Sequence, residues 1–375
     1  MKSFFFLFSI IFIFNSSRIH ALTNNQAPKD INVIVESVLK NHKVPALAGA
    51  IVTSDGLIAI GHSGFRSIEA KSQVDKTDKW LLNSCTKSIT ATMIACLVEE
   101  EKLSWNTRVK DLFGEEGIYP SLRDITLEEL LSHQSGLQRD FHIGTNQEVR
   151  NSKLQINKLR GIFTQQLLSK KPEFKRGEFH YSNAGYVIAA HFAEKVTNKS
   201  WEYLVNKYVF RPLRMKRSGF SKPPHGRSSY PRNAVGHGDW DEMKHKPIFT
   251  DDNDPTYGPA GWVHSTIDDW AKFVQDNLNG LNAKETKILS TKMYQKIHTG
   301  TVVRSENDSY ALGWVIGSSK NHWHNGCNNR WYTVMKLNPA KDVAFIAATN
   351  IGDDVGGEVA AWDLVNTLQG YNLIP

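Results

Sequence analysis

The chain has very few cysteines, three among 375 residues. An exported protein with so few cysteines does not depend on a disulfide framework. Cys85 and Cys96 fall in one predicted helix, where a rise of 1.5 Å per residue separates them by roughly 16 Å. That separation is too long for a disulfide bond. We therefore expect Cys85 and Cys96 to be small core residues rather than reactive thiols.

The sequence also lacks a long basic run and several familiar functional signatures. Its formal net charge is +7, a mild surplus without a long basic run, so nucleic acid is not an expected partner. It has no phosphate-binding glycine loop and no G-x-S-x-G elbow. His322 and His324 have the spacing of metal ligands, but Asn325 stands where a zinc hydrolase would place an aspartate. We predict a pair of strand histidines there, and neither a metal nor another cofactor.

Long apolar runs are absent after the N-terminus. Lys2 precedes an apolar run over 4–14, and Ala21 offers a small residue for cleavage. This layout is typical of a signal peptide, and the run is short of the ~20 residues that span a membrane. We predict a signal peptide over 1–21, a mature domain over 22–375, and a secreted or periplasmic protein. An uncleaved membrane anchor is the alternative.

Strand-like patterns lie at both ends of the chain, and helical patterns lie between them. Two β-type runs flank Asp55-Gly56, a typical hairpin turn, and Thr126 and Glu129 form a capping-box pattern before a short helix. This order predicts an α+β fold, in which an antiparallel sheet from both chain ends is flanked by helices and an all-helical lobe is inserted. The predicted sheet lobe covers about 22–82 and 305–375, and the helical lobe about 83–304.

The stretch WLLNSCTKSITATMIACLVEEEKLSW, residues 80–105, predicts a buried helix with a serine and a lysine near its start. Ser84 and Lys87 are three positions apart, so a helix places them on one face. Two interpretations are open from this stretch alone. Ser84 or Asn83 caps the helix while Lys87 extends to water, or Ser84 is a nucleophile that Lys87 activates.

Seven blocks occur along the chain in a fixed order, from about residue 44 to the C-terminal helix. They are NSCTKSITATMIACLVEEEKLS, ITLEELLSHQSGL, HYSNAGYVIAA, YVFRPLRMKRSGF, GPAGWVHSTIDDWAKF, YALGWVIG and HNG followed by NPAKDVAFIAATN. Together they resemble the serine penicillin-recognising family. The branch they resemble holds class C β-lactamases, D-alanyl-D-alanine peptidases, D-aminopeptidases and related esterases. The resemblance implies the fold described above and a serine hydrolase that forms an acyl-enzyme.

The resemblance also implies catalytic roles for three residues. Ser84 is the nucleophile, Lys87 is its activator, and Tyr181 lies across the pocket and exchanges a proton with Ser84. A free phenol has a pKa of about 10, and we expect the nearby lysine to lower the pKa of Tyr181 towards neutrality. Asn183, two residues after Tyr181, is expected to contact both the substrate amide and the lysine.

A late H-x-G motif completes the expected site. His324, Asn325 and Gly326 would line the edge of the pocket and bind substrate, with Gly326 allowing close approach of backbone to substrate. An acyl-transfer oxyanion needs two donors, and the resemblance assigns them to the backbone N–H groups of Ser84 and Cys327.

His324 bears on the choice of substrate. Class C β-lactamases usually carry lysine at this position, whereas histidine resembles the peptidase and esterase side of the family. A histidine with a pKa near 6.5 is mostly neutral at pH 7. We therefore expect a weak hold on a substrate carboxylate, partly restored below about pH 6.5. Asn325 in place of the usual threonine is a further departure.

These observations predict a secreted serine hydrolase that acts on D-amino-acid peptides, amides or esters, as a D-alanyl-D-alanine carboxypeptidase or an esterase does. The expected partner is a small-molecule or peptide substrate, with β-lactams as candidate ligands. A working β-lactamase is the first alternative. A catalytically silent binding or scaffold protein that keeps the fold is the second.

Overall fold

The computed structural model describes residues 27–144, 146–224, 226–238, 246–249, 254–353 and 356–371. The predicted signal peptide, residues 1–21, lies outside the described residues. Among the helices that the structure describes, none is long and apolar enough to cross a membrane. The helices are α1 (Asn32–His42), α2 (Thr86–Glu99), α3 (Val109–Phe113), α4 (Leu127–Leu131), α5 (Asn146–Asn151), α6 (Ile156–Leu168), α7 (Asn183–Thr197), α8 (Trp201–Val205), α9 (Gly258–Gly261), α10 (Ile267–Leu281), α11 (Thr291–Ile297) and α12 (Gly357–Gln369).

The strands are short at the periphery and long at the centre. They are β1 (Lys29–Asp30), β2 (Ala46–Thr53), β3 (Gly56–Ser67), β4 (Ser72–Gln73), β5 (Trp80–Leu81), β6 (Gly219–Phe220), β7 (Gly226–Arg227), β8 (Tyr230–Pro231), β9 (His237–Gly238), β10 (Lys246–Pro247), β11 (Val263–Ser265), β12 (Val302–Val303), β13 (Asp308–Tyr310), β14 (Val315–Gly317), β15 (His322–Asn328), β16 (Trp331–Asn338) and β17 (Val343–Thr349).

The main sheet joins the two ends of the chain, as predicted. Its order is β1-β3-β2-β17-β16-β15-β14-β13-β12, with β4 paired to β3. Neighbouring strands are antiparallel except β1, which runs parallel to β3. The α+β fold is therefore confirmed, and the sheet is mixed at one edge. The predicted hairpin at Asp55-Gly56 joins β2 to β3, with Thr53 opposite Gly56.

The central strands are buried on both faces because helices cover both sides of the sheet. In β2, Leu47 and Ile51 pack into a cluster with residues of α1 and α12. Their neighbours Ala48 and Ala50 face the opposite side and join the larger core around α2, α7 and α10. Successive side chains of a strand point to opposite faces of the sheet. Because both faces are buried here, β2 is a continuous apolar run rather than an alternation of apolar and polar residues.

Helix α2 is the centre of the larger core, with its residues 86–97 all buried. Two of its polar side chains donate to backbone carbonyls of distant segments. Ser88 Oγ donates to Gly313 O at 2.5 Å and Thr90 Oγ1 donates to Pro259 O at 2.7 Å. A helix that is enclosed on all sides carries its first-turn side chains into the interior, and Lys87 is one of them.

The segment between the two parts of the sheet is mainly helical, but the predicted all-helical insertion also contains short strands. Seven of them, β6 to β12, lie in the described part of 83–304. Strand β11 pairs with both β5 and β6, because the chain extends beside Trp80 after the turn of α9. The capping box before α4 is confirmed, with Thr126 N donating to Glu129 Oε2 at 2.8 Å and Glu129 N to Thr126 Oγ1 at 3.2 Å. The division into two lobes stays a prediction.

Candidate active site

Ser84 lies in a tight 3₁₀ turn, Asn83–Cys85, that leads directly into α2. Asn83 adopts a left-handed backbone conformation with φ of 46°, which is uncommon for a residue with a side chain. The residues at the cap positions of the turn and of α2 are Leu82 and Cys85, whereas Asn83 Nδ2 donates to Trp331 O and Ser84 Oγ accepts from Lys87 Nζ. Lys87 is fully buried and does not extend to water. The interpretation of Ser84 and Lys87 as a cap and a solvated lysine is therefore wrong.

The Lys87 ammonium group is held by three oxygen atoms inside the protein. Its Nζ lies 3.1 Å from Ser84 Oγ, 2.6 Å from Asn183 Oδ1 and 2.9 Å from the Ala260 carbonyl oxygen. These partners come from the starts of α2 and α7 and from α9. An ammonium group has three N–H donors, so the three contacts match its hydrogen-bonding capacity and fix Nζ beside the serine oxygen.

Burial changes the proton affinity of this lysine. Desolvation lowers the pKa of Lys87 to about 7, although the carboxylate of Asp140 acts in the opposite direction. Burial disfavours the charged form of any basic group, and among the described residues no carboxylate pairs directly with Nζ. A large share of the protein would therefore hold neutral Lys87 at neutral pH, with a lone pair that can accept the Ser84 proton.

Tyr181 shows the opposite behaviour, and the expectation that its pKa is lowered is wrong. Burial raises the pKa of the Tyr181 hydroxyl above its usual value, and the hydrogen bond with Ser84 only partly offsets this. Lys87 Nζ lies over the Tyr181 ring, 4.8 Å from its centre. The raised pKa keeps Tyr181 protonated at neutral pH, so its hydroxyl group has a proton to donate.

Asn183 links the lysine to the surface of the site. It is the first residue of α7, which Ser182 caps by accepting a hydrogen bond from Gly185 N at 3.0 Å. The amide accepts from Lys87 at Oδ1 and donates from Nδ2 to Asp140 Oδ1 at 2.9 Å. Both sides of the amide are thus assigned by their partners, and the orientation of Asn183 is fixed.

Strand β15 borders the serine with an unpaired edge. Its neighbour β14 pairs with it only at His322 and Trp323, so 324–328 has β16 on one side and no strand of this sheet on the other. Gly326 passes directly over the serine turn, and a Cβ at this position would lie 2.8 Å from Ser84 N. A side chain at 326 would displace the backbone that carries Ser84, which explains the glycine of the H-x-G motif.

The side chain of His324 is buried and does not reach the cleft. Nδ1 donates to the Asn325 carbonyl oxygen at 2.6 Å, so in the neutral ring Nε2 accepts from the Tyr310 hydroxyl at 3.0 Å. Burial, reinforced by the charge of Lys87, lowers the pKa of His324 to about 3. The expected pKa near 6.5 and the expected gain in carboxylate binding below that pH are therefore wrong.

The remaining predicted residues divide between the two faces of β15. Asn325 Nδ2 donates to Tyr332 Oη at 2.8 Å, on the face where Glu358 of α12 accepts from the same hydroxyl at 2.9 Å. That face is opposite Gly326, so the Asn325 side chain points away from the serine. Cys327 lines the cleft together with Ser84. The assignment of the two oxyanion donors to their backbone N–H groups stays a prediction.

The cleft at Ser84 has a volume of about 240 Å³. Its walls come from the serine turn, the 139–142 segment, the start of α7, the 254–262 segment and β15. The lining residues are Asn83, Ser84, Asp140, His142, Asn183, Asp254, Tyr257, Ala260, Gly261, Trp262, Cys327 and Asn328. Sequence reasoning missed Asp140, His142, Asp254 and Tyr257. The signal that could have found them is their position in the sequence. Asp140 and His142 follow the SGL block closely, and Asp254 and Tyr257 come just before the GPAGW block.

The two histidines with metal-like spacing do not form a metal site in the structure. His322 Nδ1 lies 3.0 Å from His298 Nδ1, whereas His324 turns towards Tyr310. Across the described ranges, no three His, Cys, Asp or Glu side chains are grouped so that they could hold a metal ion.

Comparisons with known proteins agree with this geometry. The profile of the family described as Beta-lactamase matches residues 31–368. "Protein flp" of Staphylococcus aureus (strain MW2) is 23% identical over 336 residues, which cover 88% of this chain and 64% of the relative. "Unguisins hydrolase ungD'" of Aspergillus campestris is 24% identical over 357 residues, covering 90% of this chain and 65% of the relative. The chain thus spans less than two thirds of the length of these curated relatives.

A solved structure shows the same fold. The octameric penicillin-binding protein homologue from Pyrococcus abyssi superposes with a TM-score of 0.69, at 23% identity, over 91% of this chain and 77% of the other. The similarity extends over both parts of the main sheet and the helical segment between them. At this level of identity the likeness concerns the fold.

The buried lysine predicts a specific pH dependence of stability. Lys87 is neutral above about pH 7 in the folded protein, whereas a lysine in an unfolded chain stays charged up to about pH 10.4. Between these values the unfolded chain binds one more proton, so the free energy of unfolding rises with pH by up to about 1.4 kcal/mol per unit. We expect Lys87→Met to lose this rise, as measured by urea unfolding from pH 6 to 10.

The exposed Lys40 provides the matched control, because its side chain is 70% exposed. Lys40→Met should keep the pH dependence of the wild type. If Lys87→Met and the wild type show parallel stability curves over this range, the low pKa of Lys87 is refuted.

Proposed function

The chain belongs to the Beta-lactamase family, and on that premise we propose that it is a serine hydrolase that forms an acyl-enzyme at Ser84. The observation that carries the proposal is the fully buried Lys87, whose Nζ lies 3.1 Å from Ser84 Oγ and whose pKa is lowered to about 7. Members of this family are serine hydrolases, and one relative is named a hydrolase.

In the first half-reaction, neutral Lys87 accepts the Ser84 proton as Oγ attacks the carbonyl carbon of the substrate. The tetrahedral oxyanion is stabilised by the backbone N–H groups of Ser84 and Cys327, one at the start of α2, where the helix dipole favours negative charge. The proton then passes from Lys87, through the Tyr181 hydroxyl, to the leaving group. In the second half-reaction water attacks the acyl group, and the same groups move its proton back to Ser84.

We propose D-amino-acid peptides, amides or esters as substrates. The neutral, buried His324 supports this choice over β-lactam antibiotics. A β-lactam carries a carboxylate, and His324 supplies no cation to hold it, because its buried imidazole does not reach the cleft and stays uncharged above about pH 3. β-Lactams would then acylate Ser84 without efficient turnover, because deacylation needs a well-held ligand and a placed water.

A catalytically silent protein with the same fold is the competing function of another class. The complete group of Ser84, Lys87 and Tyr181 favours an enzyme, because a binding protein does not need a buried lysine without a carboxylate partner. Burying such a group costs stability, and catalysis gives a reason to retain it.

Ser84 should be the residue that is acylated. The wild type is incubated with a fluorophosphonate probe and then assayed with p-nitrophenyl esters, a D-alanyl-D-alanine peptide and nitrocefin. We expect one adduct on the Ser84 peptide by mass spectrometry, ester or D-peptide turnover above that of nitrocefin, and no adduct or turnover in Ser84→Ala. An adduct on another residue, or full activity of Ser84→Ala, contradicts the assignment.

We also propose that the protein is exported and cleaved near Ala21, because Lys2 precedes a short apolar run. N-terminal sequencing of the protein recovered outside the cytoplasm should give a start close to residue 22. Recovery of an intact Met1 from a membrane fraction would instead show an uncleaved anchor.

A further inference from the structure

One wall of the Ser84 cleft carries two carboxylates beside an aromatic ring. Asp140, Asp254 and Tyr257 all line the cleft. Burial raises the pKa of the Tyr257 hydroxyl, and the negative charges of Asp140 and Asp254 act in the same direction. Tyr257 itself is fixed by a hydrogen bond from its hydroxyl group to the Phe141 carbonyl oxygen at 2.6 Å.

Asp254 is the unusual member of this wall. Its side chain is only 2% exposed. Oδ1 accepts hydrogen bonds from Thr256 N at 2.8 Å and from Thr256 Oγ1 at 2.6 Å, whereas Oδ2 has no hydrogen-bond partner within the described part of the chain. Buried polar atoms are nearly always hydrogen-bonded, and buried charges are normally paired. One of the two oxygen atoms of this buried carboxylate, Oδ2, therefore lies at the wall of the cleft without a hydrogen bond to offset its burial.

The charged groups nearby do not neutralise the wall. His142 Nδ1 lies 3.7 Å from Asp254 Oδ2, too long for a hydrogen bond. The His142 side chain is 57% exposed, and its ring also lies against the Tyr257 ring, with the two ring centres 5.6 Å apart. Asp140 and Arg139 approach only to 3.5 Å and both are exposed, at 41% and 68%. Such a pair is weak in water.

We propose that Asp254, with Asp140 and the Tyr257 ring, forms a subsite for a protonated primary amine of the substrate. This inference rests on the proposed function and names the substrate class: amides, esters or short peptides with a free amino group near the scissile carbonyl. An ammonium group supplies N–H donors for both carboxylates and a positive charge for the aromatic face. His142 moves aside when the amine binds.

The subsite also sets what the enzyme disfavours. An acylated amine brings no charge to Asp254, and a substrate carboxylate placed against this wall meets charge of the same sign. With His324 neutral and buried, the binding preference of the cleft is for cationic substrates. Free D-amino-acid amides and esters should therefore be favoured over N-acylated peptides and β-lactams.

The full mature protein tests the inference with two matched substrates, D-alanine p-nitroanilide and N-acetyl-D-alanine p-nitroanilide. We expect a higher kcat/KM for the free amine, with most of the difference in KM. Asp254→Asn keeps Oδ1 as the acceptor for Thr256 and removes the charge. It should lower kcat/KM for the free amine by about 10- to 100-fold, the size of a charge-assisted hydrogen bond, and leave the acetylated substrate unchanged.

Asp268→Asn is the matched control, because it removes one aspartate charge from a side chain that is 55% exposed at the start of α10. It should behave as the wild type with both substrates. Equal kcat/KM for the two substrates in the wild type, or an equal loss for both in Asp254→Asn, overturns the subsite while the proposed hydrolase stands.

A second measurement needs no variant. In the wild type, D-alaninamide should protect Ser84 from the fluorophosphonate probe at lower concentrations than N-acetyl-D-alaninamide. Equal protection by the two compounds overturns the subsite even if Asp254→Asn fails to fold. Failure of the proposed function would look different, because the probe would then leave Ser84 unlabelled at any ligand concentration.

Discussion

The whole site depends on one constraint, the burial of a lysine amine without a carboxylate beside it. Charge on Lys87 is disfavoured by desolvation, and the three oxygen atoms around Nζ are a hydroxyl, an amide and a backbone carbonyl. These oxygen atoms fix the position of the amine. They do not neutralise its positive charge, as a carboxylate would. In the proposed mechanism this amine is the base: it is available near neutral pH and lies in contact with Ser84, the proposed nucleophile.

The fold supplies what this constraint needs. Helix α2 is enclosed by the core, so its first turn carries Lys87 into the interior while Ser84 stays at the cleft. The carbonyl oxygen of Ala260, in α9 and 173 residues further along the chain, accepts a hydrogen bond from the Lys87 amine. Gly326 lets β15 pass over the serine turn. Tyr181 contributes a protonated hydroxyl and not a phenolate, because the same burial raises its pKa.

The sequence predicted what short-range patterns determine. The capping box of Thr126 and Glu129, the hairpin at 55–56 and the placing of Ser84 and Lys87 on one face follow from local spacing. The proton affinities of Lys87 and Tyr181 did not follow, because they depend on how completely distant segments exclude water. A strand pattern also could not show that His324 faces the interior and Asn325 faces α12. Asp254 was missed because its role depends on the unpaired state of one oxygen atom.

The central claim is that Lys87 is the base, with a pKa of about 7. The measurement that tests it most directly is the rate of Ser84 acylation by an uncharged fluorophosphonate between pH 5 and 10. The account predicts a second-order rate constant that rises about tenfold per pH unit at low pH and reaches a plateau above about pH 8. A rate that does not change with pH, or one that keeps rising towards pH 10 as for a base with an ordinary lysine or tyrosine pKa, would contradict it.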